Sequence, residues 1–143
     1  MSLNWMTTQE NSLPEATAGN DREFTVYRAD VKSPDNQNVQ RAIEATTEKA
    51  CELLEGNIQD DSRYLLFGWN VDTATLTIVV TDDGKVRDSH AVVQCTFATE
   101  GQPLNTEDIQ FWIKDFLSSY APFLRYSLIA AFYCGSRNDC VLL

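Results

Sequence analysis

Residues 64–71 (YLLFGWNV), 75–80 (TLTIVV) and 90–98 (HAVVQCTFA) carry the strongest pattern in the chain. In the first, Leu65, Phe67, Trp69 and Val71 fall on one side. Leu76, Ile78 and Val80 do the same in the second, and Ala91, Val93, Cys95 and Phe97 in the third. A period of two is what a strand with one dry face needs. Asp72-Thr73-Ala74 and Asp82-Asp83-Gly84 supply turn chemistry between the segments,. The economical arrangement is an antiparallel three-stranded meander.

The flanking segments change period. Val39, Ala42, Ile43, Thr46, Ala50, Leu53 and Leu54 recur at helical spacing, opposite Arg41, Glu44, Glu48, Glu52 and Glu55,. Ser33-Pro34-Asp35 reads as the start of this helix and Gly56 as its end,. A second helix is capped by Asn105 or Thr106 and carries Glu107 and Asp108 in its first turn. Its stripe is Ile109, Trp112, Ile113, Phe116, Leu117 and Tyr120, and Pro122 stops it,. Glu23 to Val31 alternates loosely as a short strand, with Phe24 and Val26 on one side and Thr25 and Tyr27 on the other,. Phe123 to Cys134 is apolar throughout and leaves two readings open, a strand pairing with the sheet or a short buried helix,. The expectation is an α+β fold, an antiparallel β-meander packed against two amphipathic helices. A flexible N-terminal arm over residues 1–22 precedes a single domain over 23–143.

Composition narrows function mainly by exclusion. The 143 residues carry a formal net charge of −10, and the eleven basic side chains are scattered. Nucleic-acid binding works by counterion release from clustered Lys and Arg, and an anionic membrane needs a basic face. Both are disfavoured. Met1 to Thr8 has neither positive charge nor an apolar core, and no apolar run approaches a membrane span, so cytoplasmic residence is expected,.

The four cysteines, Cys51, Cys95, Cys134 and Cys140, form no C-x-x-C pair, and their spacing matches no metal or disulfide framework,. Cys51 and Cys95 read as small core residues. The single histidine, His90, lies five positions from Cys95 and so on the opposite face of a regular strand, which argues against a dyad,. Glycine-rich phosphate loops and the G-x-S-x-G elbow are absent,. Glu44, Glu48 and Glu52 form a ladder of like charge that reads as a solvated face,. The tail Cys140-Val141-Leu142-Leu143 has the C-a-a-X form of a prenylation signal, without the usual upstream basic stretch,.

The sheet's second face is the non-catalytic feature that stands out. Tyr64, Leu66, Thr75, Thr77, Val79, Val92, Gln94 and Thr96 make a surface neither charged nor fully apolar, suited to part-time cover by the C-terminal segment, a second subunit or a partner,. Of these, Tyr64, Leu66, Thr77, Val79, Val92 and Gln94 are the candidate partner-binding residues.

Gly68-Trp69-Asn70, the Asp82-Asp83-Gly84 turn and the run from Gln102 to Glu107 into the second helix resemble the class I type III secretion chaperones and the related YbjN-like domains. The resemblance covers about residues 34–120 and is one of architecture. It implies a dimeric protein-binding module without catalytic residues, holding extended partner segments on sheet and helix surfaces. The reading that emerges is a non-enzymatic, chaperone-like binding or adaptor protein with a protein partner or a homodimer. It calls for no cofactor, metal or nucleic acid, and for no membrane unless Cys140 is lipidated. The alternatives are a small enzyme with an unrecognised site around His90 and a C-terminally prenylated factor.

Overall fold

A computed structural model describes residues 3–12, 19–32, 35–55, 62–81, 89–98, 104–124, 127–134 and 140–142. The elements run β1 (Met6–Ser12), β2 (Gly19–Val31), α1 (Asn36–Glu55), β3 (Ser62–Asn70), β4 (Thr75–Thr81), β5 (Ser89–Phe97), α2 (Thr106–Tyr120), β6 (Ser127–Cys134) and β7 (Cys140–Leu142). The fold is α+β, as its sequence predicts.

The meander is present, but only as the middle of a larger sheet. Among the described residues seven strands lie in the order β1-β2-β5-β4-β3-β6-β7. β3, β4 and β5 pair antiparallel, whereas β2 joins β5 and β6 joins β3 in parallel. The sheet is therefore mixed, which corrects the expected purely antiparallel arrangement. Connectivity is the physical reason, because parallel neighbours need a long crossover connection and the two helices supply one each. α1 carries the chain from β2 to β3 past β5 and β4, and α2 carries it from β5 to β6 past β4 and β3.

Phe123 to Cys134 resolves into one 3-10 turn at Ala121–Phe123 and the strand β6 from Ser127. It extends the sheet in its own plane and does not lie over the second face as a cover. Within residues 1–22, read from sequence as an arm, Met6–Ser12 forms β1 and pairs antiparallel with β2, which itself begins at Gly19 rather than Glu23.

Both helices pack on one face of the sheet. Val39, Ala42, Ile43, Ala50, Cys51 and Leu54 of α1 and Ile109, Ile113 and Leu117 of α2 share a core with Leu65, Phe67, Trp69, Leu76, Ile78, Val80, Val93, Cys95 and Phe97. Register explains the fit: Phe132, Phe67, Ile78 and Val93 stand in one cross-strand row, all buried. Burying each such side chain contributes about 2 kcal/mol. Thr46 and Thr47, also buried, donate their hydroxyls to the carbonyls of Ala42 and Ile43, so no polar group is stranded there,. On the solvent side of α1, Glu48 and Glu52 are exposed, in keeping with a solvated acidic face.

For α2 the cap is Asn105, one of the two residues expected there, whose Oδ1 accepts from the Glu107 amide at 2.9 Å. Two other local details differ from expectation. α1 starts at Asn36, after Pro34, and its cap is Asp35, whose Oδ1 accepts from the Asn38 amide at 2.8 Å,. Val71, expected on the core face, is 40% exposed because β3 ends at Asn70 and the chain turns through residues 71–74. Asn70 builds that turn by accepting from the amides of Asp72 and Thr73, and Ala74 adopts a left-handed φ of 48° to close it,. The turns proposed at Ser33-Pro34, Gly56 and Asp82-Asp83-Gly84 lie outside the described residues.

Replacing Asn70 with Ala removes both side-chain bonds to the turn and is expected to destabilise the protein by about 1–2 kcal/mol in urea titrations. Gly68 behaves oppositely. A Cβ there would meet only the Thr77 carbonyl oxygen, at 3.9 Å, so Gly68→Ala is expected to stabilise by about 0.5 kcal/mol in the same measurement,.

Candidate functional site

The face of the sheet turned away from the helices is ordered in rows by the strand register. One row runs Val26, Val92, Val79, Leu66, Ala131 across β2, β5, β4, β3 and β6. It is apolar throughout and buried except at one place. Val26 and Val92 are fully buried, Val79 is 8% and Ala131 6% exposed, while Leu66 is only half-buried. Phe24, on the same face of β2, is also buried and joins Val26, Val79, Val92 and Leu66 in a second, smaller core.

The next row is polar. Arg28, Gln94 and Thr77 stand side by side on β2, β5 and β4. The guanidinium of Arg28 donates through Nε to Gln94 Oε1 at 3.0 Å, and Gln94 Nε2 donates in turn to Thr77 Oγ1 at 2.9 Å. On its other side Arg28 donates through Nη1 to Thr8 Oγ1 at 3.1 Å and through Nη2 to Glu10 Oε2 at 3.2 Å. One arginine thus ties β1 to the centre of the sheet. Its ion pair with Glu10 is about one-third exposed on both sides and contributes at most about 1 kcal/mol, so the network acts more by fixing geometry than by energy,. A further hydroxyl pair, Thr75 with Thr96 at 3.0 Å, closes the sheet beyond it.

The six residues singled out from sequence do share this face, but they divide into three kinds. Val79 and Val92 are buried within it. Thr77 and Gln94 are half-buried and bonded to each other. Tyr64 and Leu66 are half-buried at its open side. Beside them lies Ile129 of β6, 40% exposed and paired in register with Tyr64. The open patch is therefore Tyr64, Leu66 and Ile129, at the β3–β6 half of the face. Sequence reading missed Ile129, Arg28 and Glu10. The available signal was the single cation in the alternating run Phe24-Thr25-Val26-Tyr27-Arg28, which puts a charge on the same side as Phe24 and Val26.

Cys51 and Cys95 are buried and neither forms a disulfide, as expected for core residues. Burial pushes the Cys95 thiol from its ordinary 9.0 up to about 12, opposed in part by a hydrogen bond with Thr46 and reinforced by the negative charge of Asp30,. A thiol so placed stays protonated and shielded, the reverse of what a nucleophile needs. His90 sits in β5 at a register shift: Val80 faces Ala91 but Thr81 faces Ser89, so His90 is the extra residue of a bulge,. Alternation therefore does not fix its face, and its side chain lies outside the described residues. Among the described residues no group of three or more His, Cys, Asp or Glu is placed to hold a metal ion, and no helix is long and apolar enough to cross a membrane. The backbone of Cys140–Leu142, the proposed lipidation signal, is built into β7 and pairs with Ala131, Phe132 and Tyr133 of β6.

The raised Cys95 value has a pH consequence. A group whose folded value lies above its unfolded one contributes fully below the unfolded value, here 9.0, and loses that contribution as pH rises toward 12,. Urea midpoints measured across that window are expected to fall more steeply for the wild type than for Cys95→Ala. Equal slopes would show that the thiol is not held as described.

No protein-family model, curated protein or solved structure matches the chain.

Proposed function

We propose that this chain is a non-enzymatic protein-binding module of adaptor or chaperone-like type, cytoplasmic, and that it assembles as a homodimer through the open half of the sheet's outer face. The observation that carries the reading is an opening in the apolar face at β3 and β6. Beside the buried Val26, Val92, Val79 and Ala131, Leu66 is half-buried and Ile129, paired with the half-buried Tyr64, is 40% exposed. An apolar patch that is open to water and borders a buried row is continuous with a core, and a second copy placed against it would extend that core. Its composition suits the task, since Tyr and Leu supply contact area while the neighbouring Thr77–Gln94 pair is already hydrogen-bonded and needs no new partner. The resemblance to type III secretion chaperones and YbjN-like domains points the same way, because dimeric partner binding without catalysis is what it implies.

The two-fold geometry of a homodimer makes each substitution count twice. Light scattering of the wild type is expected to give twice the chain mass of 16.1 kDa. Leu66→Arg with Ile129→Arg is expected to give the single-chain mass with an unchanged circular dichroism spectrum. A wild type that stays monomeric across a hundredfold concentration range would remove the proposal.

A further inference from the structure

We propose that the outer edge of β2 is an acceptor site for an extended, carboxylate-bearing segment of another protein, and that β1 is its resident and exchangeable occupant. This rests on the reading of the chain as a protein-binding module but concerns a different surface from the dimer patch.

The case begins with what β1 lacks. From Met6 to Asn11 not one residue is buried. Met6, Thr7, Thr8, Gln9 and Asn11 are exposed and Glu10 is half-buried. Every other long strand of the sheet places at least two side chains in a core. β1 itself is held by its ladder to β2 and by polar side chains, Gln9 Nε2 donating to Thr25 Oγ1 at 2.8 Å and Arg28 reaching Thr8 and Glu10. Just ahead of it Leu3 and Trp5, both half-buried, pack against the main core and are the apolar part of its anchorage. Such an element belongs to the low-stability end of a fold, since it carries no fully buried side chain of its own.

What β1 protects is different in kind. Glu10 is in register with Phe24 and Thr8 with Val26, and these two β2 residues are 1% and 0% exposed. Removing β1 leaves the main-chain edge of β2 unpaired beside two apolar side chains, which is the recognition mode of strand addition. Arg28 sets the chemistry of the replacement. Its Nε remains fixed on Gln94, so the Nη atoms stay aimed at the place where β1 holds a hydroxyl and, two positions on, a carboxylate. The matching segment runs antiparallel to β2, carries a hydroxyl or amide opposite Val26 and an acid opposite Phe24, and has an aromatic side chain where Trp5 packs against the core,.

The probe is a fluorescent peptide with the sequence of residues 4–12, added to the full-length protein. In Glu10→Arg the resident strand meets Arg28 with like charge, and the peptide is expected to bind at least tenfold more tightly than to the wild type. The same peptide with Gln in place of its acid is expected to bind at least fivefold more weakly. Arg28→Gln, which loosens β1 from the other side, is expected to bind both peptides equally, a result that a merely structural role for Arg28 does not produce. Hydrogen exchange of the wild type is expected to show residues 6–12 exchanging at least tenfold faster than β5. Protection of β1 equal to that of β5 overturns the proposal, as does failure of the peptide to bind either variant. A doubling of mass in Glu10→Arg over the wild type, with the peptide excluded, also overturns it, because a second copy then takes the edge. The dimer patch is read by the mass of the Leu66 and Ile129 variants, so the two proposals fail independently.

Discussion

Everything in this fold depends on the alternation of β3, β4 and β5, which gives the protein one face that must be dry. Phe67, Ile78 and Val93 stand in register on that face, and neither a lone meander nor a single helix can shield them,. Two amphipathic helices are the answer, and each helix brings a parallel strand with it. The sheet is wide because the helices need a floor, and it is mixed because each helix runs as a crossover. The other face then inherits whatever residues alternation leaves there, a buried Val26–Val92–Val79 row at one side and a half-open Tyr64–Leu66–Ile129 patch at the other.

The parts legible in sequence were those in which one physical demand acted alone. The meander and both helices are half-buried elements, so their hydrophobic periods survive in the residues, and the cap at Asn105 is ordinary cap chemistry. The parts that were not legible obey two demands at once, or none. β6 is apolar on both faces, with Ala130 and Phe132 in the core and Ala131 and the part-open Ile129 on the other side, which erases the period of two and leaves an apolar run that suits helix as well as strand,. β1 is buried on neither face and reads as irregular polar chain. Sheet position, not composition, made these two segments opaque.

The same holds for the candidate site. Choosing Tyr64, Leu66, Thr77, Val79, Val92 and Gln94 required only alternation, and alternation was correct about their face. Burial along that face depends on which strand lies next to which. The parallel placement of β2 beside β5 buries Val92, and no local signal encodes it. Arg28 shows the same thing in reverse. Read along the chain it interrupts an apolar strand, and read across the sheet it is the joint between Thr8, Glu10 and Gln94. A buried Arg63, 1% exposed on the core side of β3, is a second cation whose setting only the tertiary structure reveals.

The interleaved crossovers have a kinetic consequence. The partners Arg28 and Gln94 are 66 positions apart, and both parallel pairings join strands separated by a whole helix and more. Closing such loops costs chain entropy before any contact is made, which slows folding relative to a sheet built from local hairpins alone. Without β2 and β6 the β3–β4–β5 ribbon has bare edges on both sides, and the acidic surplus of the chain then opposes sticking between copies,.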